Sequence, residues 1–213
     1  MNDELMTKQA TYDVAFSEMV DSSIYARVQL MGFNSELVKS GKFPGGHFAL
    51  VINKDAQDIG ESFEALPLAW RPKAMSVANN EIKIFYDHTI QDFKDIVEQA
   101  EEPNSGCMYG PEFLLYLPEK DIVATYFLSN KSARYIAEVL RGYLKKSQPV
   151  TFSVHFVKGK KFSWHAPKVN ECSAAIVIAA GIESVQKDIE KFLNPDEHEE
   201  LIAESVNTTE RAR

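Results

Sequence analysis

Cysteine is nearly absent from this chain of 213 residues: Cys107 and Cys172 lie far apart with no Cys-x-x-Cys spacing. Neither a disulfide framework nor a zinc ribbon is written here, and a reducing compartment is expected. Long apolar runs are missing too, since no stretch approaches ~18 consecutive apolar residues. The opening MNDELMTKQATYD carries early acids where a leader would carry an apolar run of ~7–15 residues. Neither export nor membrane spanning is expected, and the expected location is the cytoplasm, or a host's cytoplasm for a viral chain. The phosphate loop G-x-x-x-x-G-K-[ST], the dinucleotide fingerprint G-x-G-x-x-G, the zincin motif H-E-x-x-H and the nucleophile elbow G-x-S-x-G do not occur. His47, His88, His155, His165 and His198 are scattered without metal-ligand spacing. No cofactor or metal and no catalytic group is expected on these grounds.

What is present is an ordinary globular composition, 45% hydrophobic and 25% charged, with a net charge of −8. The charge is unevenly placed. Residues 1–112 carry 9 Lys and Arg against 18 Asp and Glu, residues 113–168 carry 10 against 3, and residues 169–213 carry 4 against 10. A basic block thus lies between two acidic ones, and attraction for phosphate is set by such a local surface, not by the whole-chain sum. Residues 195–204 hold five acids and no Lys or Arg, a solvated tail or a short helix.

The pattern predicts an α+β, β-dominated fold. Ile24 to Leu30 reads as a first strand, Phe43-Pro44-Gly45-Gly46 as a turn and His47 to Ile52 as a buried strand, followed by a polar loop over 53–60. Phe63 to Trp70 and Glu81 to Tyr86 read as strands separated by Arg71-Pro72-Lys73 and Asn79-Asn80. Ile90, Phe93, Ile96 and Val97 recur at helical spacing behind an Asp87 or Thr89 cap. Tyr109-Gly110-Pro111 reads as a turn before a hairpin over 113–128, and a helix runs from Ala133 to about Leu144 behind capping oxygens at Ser129 to Ser132. Thr151 to Phe156 and Phe162 to His165 form a second hairpin around Lys158-Gly159-Lys160-Lys161, and Glu183 to Phe192 is helical. Residues 174–180 fit either strand or helix. The division expected is an N-terminal arm over 1–20, one domain over 21–193 and an acidic tail over 194–213.

Within the basic block, aromatic residues alternate with cations. Lys131, Arg134, Arg141, Lys145, Lys146, Lys158, Lys160 and Lys161 offer phosphate contacts, and Tyr126, Phe162 and Trp164 offer flat faces for unstacked bases. Single-stranded nucleic acid needs both, each stacked base contributing ~1–3 kcal/mol. Lys131 and Arg134 at a helix start oppose the macrodipole unless an anion is near. Phe152 and Phe156 share the apolar face of their strand with Val154 and belong to the expected core. The reading is therefore sequence-nonspecific single-stranded DNA binding without turnover. Its first rival is a structural or interaction protein, such as a virion or host-inhibitor component, docking its basic face on a protein partner. Its second is a Mg²⁺-dependent nuclease using Asp87, Asp92, Asp95 and Glu112 with Lys120 or Lys131.

The layout of short strands, a helix, a basic hairpin and an acidic end resembles the single-stranded-DNA-binding proteins of bacteriophages. The likeness spans about residues 20–180 and includes Gly110-Pro111-Glu112-Phe113, Lys131-Ser132-Ala133-Arg134 and Ser163-Trp164-His165-Ala166-Pro167. It implies an OB-like antiparallel β-barrel with helical insertions at 87–112 and 129–149. It also implies a role in DNA replication or recombination, with the acidic tail meeting replication proteins.

Overall fold

The computed structural model describes residues 25–33, 35–52, 55–78, 81–102, 105–129, 134–160, 163–172 and 182–195. The chain begins with β1 (Ala26–Leu30), a short helix α1 (Glu36–Lys39), and the hairpin β2 (Phe48–Ile52) and β3 (Asp55–Gly60). Next come β4 (Ser62–Ala78), β5 (Glu81–Phe85) and helix α2 (Gln91–Gln99). The hairpin β6 (Cys107–Leu117) and β7 (Ile122–Phe127) precedes helix α3 (Ile136–Lys145), and the hairpin β8 (Val150–Lys158) and β9 (Ser163–Glu171) precedes helix α4 (Ile182–Leu193). The strands form one mixed sheet ordered β3-β2-β1-β7-β6-β4-β8-β9, with β5 on β4. Only β1 and β7 pair in parallel; the other described ladders are antiparallel. No helix among the described residues is long and apolar enough to cross a membrane.

The long strand β4 organises the fold. Its first residues pair with β8, Leu66 to Ser76 pair with β6, and its last residues pair with β5. The sequence signals break it into pieces at Arg71-Pro72-Lys73, yet it runs unbroken. Pro72 stands opposite Pro111, so two residues that lack an N–H share a position where the ladder demands none. The register shift between Pro67 and Ala69 bends the strand and lets the β8–β9 hairpin fold over the rest of the sheet. The sheet therefore curls without closing, which corrects the expectation of a closed barrel. The main core fills the concavity: Phe48, Phe63, Phe113, Leu115, Tyr126, Val150 and Phe152 meet Ile136, Ala137 and Leu140 of α3. Phe63 and Phe152 stack with centroids 4.7 Å apart.

Other expectations are revised as well. The polar stretch 53–60 contains β3, whose residues pair with β2 at the sheet margin; an edge strand leaves much of its surface in water and lacks the apolar signal. Tyr109-Gly110-Pro111 belongs to β6, not to a turn. Asp87 turns back on its own loop, accepting from Thr89 N–H at 2.8 Å and Thr89 O–H at 2.6 Å, so Ile90 takes the N-cap position of α2 with no side-chain cap. The proposed arm, the segment 174–180, the capping residues 130–132 and most of the acidic tail lie outside the described residues.

Gly110 allows a close crossing. A Cβ built there would overlap the Leu128 carbonyl oxygen, and Leu128 N–H donates to Pro111 O at 2.9 Å. Backbone cannot swing aside as a flexible side chain does, so Gly110→Ala is expected to destabilise by about 1–3 kcal/mol or more. Denaturant unfolding checks this, and an unchanged midpoint would refute it.

Candidate nucleic-acid interface

The basic block folds into α3 and the β8–β9 hairpin, and their relation decides whether its cations converge. Tyr135, beside the first turn of α3, donates its hydroxyl to Pro167 O in β9 at 3.1 Å. At the other end of the helix, Tyr143 and Lys146 line an open cleft of about 330 Å³ with Gln148 and with Glu171 of β9. Helix α3 thus runs beside β9 in the same direction. β9 is the last strand of the sheet, and α3 lies over the sheet face between β9 on one flank and Tyr109 of β6 and Trp70 of β4 on the other. The ten residues from Tyr135 to Lys145 span ~15 Å, and the strand from Pro167 back to Ser163 spans ~13 Å. Lys158 pairs with Ser163 at the hairpin tip. The cations fall into three places: Lys158 and Lys160 at the hairpin tip, Arg134 and Arg141 on the flank of α3 turned to β6 and β4, and Lys145 and Lys146 at the C-terminal end of the helix.

None of these six cations has a carboxylate at ion-pair distance among the described residues, whereas Lys39, Arg71 and Lys73 are paired. Two of them rest on rings: the Arg134 guanidinium lies 4.2 Å from the Tyr109 centroid and that of Arg141 3.9 Å from Trp70. Both arginines sit on one flank of α3, off the buried stripe of Ile136, Ala137 and Leu140. Lys145 and Lys146 end the helix, where cations complement the exposed carbonyls. Glu138 and Glu171 are the acids of α3 and β9 that temper this surface. Lys131, Lys161 and Phe162 lie outside the described residues.

The rings read from the sequence fare differently. Tyr126 is 4% exposed, 5.5 Å from Phe152 and 6.3 Å from Phe48 by ring centroids. Burial pushes its hydroxyl pKa well up, and it offers no face to a base, which corrects its stacking role. Its neighbours Thr125 and Phe127 point the other way, an alternation the sequence left unassigned. Trp164 is partly buried and lies on the opposite face of β9 from His165.

Among the described residues, the most exposed rings lie outside the set read from the sequence. Phe156, expected in the core, is 49% exposed, because β8 continues past the core after the buried Phe152. Phe33, in the loop after β1, is 50% exposed and Tyr135 is 55% exposed. Helical period is the signal for Tyr135, which falls off the Ile136, Ala137 and Leu140 stripe; for Phe33 no local pattern gives it away. Phe33 and His165 have centroids 4.5 Å apart, and Phe33 meets Phe156 edge-on at 6.2 Å.

The carboxylates considered for a metal do not gather. Among the described residues no group of three His, Cys, Asp or Glu side chains has metal-binding geometry, and His155, His165 and Cys172 form none. Asp95 accepts from Gln91 at 2.7 Å on α2. Glu112 is buried on the opposite sheet face from α3, where Lys73 Nζ reaches Oε1 at 2.6 Å and Arg71 donates through Nε and Nη2 to Oε2 at 2.9 and 2.8 Å. Burial alone would push this carboxyl up, but the charges and hydrogen bonds of Lys73 and Arg71 outweigh it and hold the group below the usual carboxylate range. Arg71 also donates to Phe192 O, and its guanidinium lies 3.5 Å from the Tyr86 ring centroid and 4.1 Å from that of Phe192. Nearby, burial pushes the Arg27 guanidinium down to about 10 against the pull of Glu112. Tyr25 donates to Asp188 O at 2.8 Å, and burial, aided by the Asp188 charge and opposed by Arg71, pushes its hydroxyl up to about 12. This cluster ties α4 to the sheet.

Set against protein-family models, curated proteins and solved structures, the chain matches none of them.

Proposed function

We propose that the protein binds single-stranded DNA without sequence preference, holding phosphates along α3 and the tip of the β8–β9 hairpin. One observation carries the reading: a molecule of net charge −8 keeps Arg134, Arg141, Lys145, Lys146, Lys158 and Lys160, all on α3 and the neighbouring β8–β9 hairpin, without carboxylate partners among the described residues. Cations left unpaired in this way attract a polyanion at the gain of its released counterions. Bases turned outward from such a strand find π-faces, which a duplex has no use for. An OB-type relationship belongs to this proposal and is supported by the curl that brings His165 of β9 beside the loop after β1. Roles in replication or recombination, and contacts of the acidic tail with replication proteins, are parts of the same proposal.

Anisotropy titration of a labelled oligonucleotide, single-stranded and then duplex, at several salt concentrations tests it. The expected result is a preference for the single strand and a log–log salt slope of about −3 to −4, from four to six phosphate contacts at ~0.7 each. Equal binding of duplex, or affinity indifferent to salt, would remove the reading. Absence of binding to either strand form would favour a protein partner for the basic face, and Mg²⁺-dependent cleavage would favour the nuclease.

A further inference from the structure

We infer that Phe33, Phe156 and Tyr135 form the platform on which unpaired bases stack, beside the β8–β9 hairpin; this rests on the nucleic-acid reading above. The three rings lie within one neighbourhood. Phe156 stands opposite His165 in the β8–β9 register, Phe33 covers His165, and Tyr135 is tied to Pro167, two residues along β9 and so ~7 Å away.

Their exposure has no explanation in the core. Phe152 on the same face is fully buried, while Phe156 and Phe33 each leave about half their surface in water, at ~25 cal/mol for every Å² of apolar surface not removed from it. The loop is nonetheless shaped to hold them. A Cβ at Gly46, whose φ is +85°, would lie 2.8 Å from His165 Nε2, and one at Gly45 would lie 3.3 Å from Phe33 Cδ1. Two successive glycines thus let the imidazole and the Phe33 ring settle against the turn, and Phe33 then meets Phe156 edge-on with an interplanar angle of 83°. The platform is held from below and open above.

The charges around it choose the occupant. Lys158 follows Phe156 by two residues and Lys160 stands in the turn; neither has a carboxylate partner among the described residues. An apolar peptide would gain nothing from these cations. A nucleotide places a flat base and a phosphate several ångströms apart, and Phe156 and Lys158, two residues apart and so ~7 Å apart on one face of β8, present that pairing.

The test compares Phe33→Ala/Phe156→Ala with the wild type on two probes, an oligothymidylate and an abasic oligonucleotide of equal length. The double variant is expected to weaken on oligothymidylate by about five- to 150-fold for each ring engaged, with the abasic probe changing less than about threefold because only phosphate contacts remain. Both side chains are half in water, so the thermal midpoint should stay close to that of the wild type. Phe33→Leu/Phe156→Leu, which keeps apolar bulk without the flat face, serves if the alanine variant does not fold. Unchanged binding of oligothymidylate by a wild-type-like fold, or equal loss on both probes, overturns the platform while leaving phosphate capture intact. A wild type that binds neither probe removes both.

Discussion

Glu112→Ala is expected to cost the folded state about 3–5 kcal/mol, because a buried ion pair broken from one side strands its cations. Lys73 and Arg71 both direct donors at this one carboxylate, and the Lys73 and Glu112 side chains are 8% and 4% exposed. With alanine in place, the ammonium faces an apolar wall formed by Phe127, whose ring centroid lies 5.1 Å from Nζ. Arg71 keeps only its bond to Phe192 O and its stacking on Tyr86 and Phe192. For a chain of this size each kcal/mol lowers the midpoint by ~2–4 °C, so a fall of roughly 6–20 °C is expected in calorimetry. Adding Lys73→Met should recover part of the loss, since it removes an orphaned charge. A midpoint within ~2 °C of the wild type would show that the cluster is not the tie it looks like. The same carboxyl imposes a pH dependence. Its folded pKa lies below the ordinary value of 4.5, so its contribution is fully present above that value and is lost as pH falls through the folded value. Acid unfolding of the wild type should show this limb below about pH 4.5, and the Glu112→Ala variant should lack it.

Neutralising α3, with Arg134, Arg141, Lys145 and Lys146 all changed to glutamine, is the second large effect expected. If each cation meets one phosphate, the salt slope should flatten by about 3, from four contacts at ~0.7 each, and the low-salt affinity for a single strand should fall by roughly a thousandfold. The fold should survive, because the buried face of α3 is made by Ile136, Ala137 and Leu140, which are untouched. The loss should fall alike on strands of any sequence, since phosphate carries no base identity. Arg134 and Arg141 also cover Tyr109 and Trp70, so glutamine there uncovers two rings. An unchanged salt slope would move the phosphate path off α3 altogether.

Several parts of this fold were legible residue by residue. The hairpin of β6 and β7 follows from two β-rich runs around Glu119-Lys120-Asp121, and α2, α3 and α4 follow from apolar residues at helical spacing. These are local signals, complete within a dozen residues. The single strand β4 was not legible, because Pro67 and Pro72 are read as breakers unless their partners are known, and Pro111 is 39 residues from Pro72 in sequence. The cations of the candidate site were legible as a composition, but Tyr126 was assigned to a surface it does not reach and Phe156 to a core it has left. Tyr126 and Phe156 look alike in sequence, each aromatic in an alternating strand. One lies where the sheet is covered and the other where the strand has outrun its cover.

By itself, the sequence determined that the chain is β-dominated with amphipathic helices, that its charge is segregated into a central basic block, and that aromatic residues accompany those cations. Periodicity and net charge need no knowledge of what lies opposite. Only the tertiary structure decided which cations keep a partner, which rings reach water, and that Glu112 ties Arg71 and Lys73 together beneath α4. Those outcomes depend on ladders between distant segments and on where each strand leaves the core, and burial and ion pairing are properties of what surrounds a side chain in space.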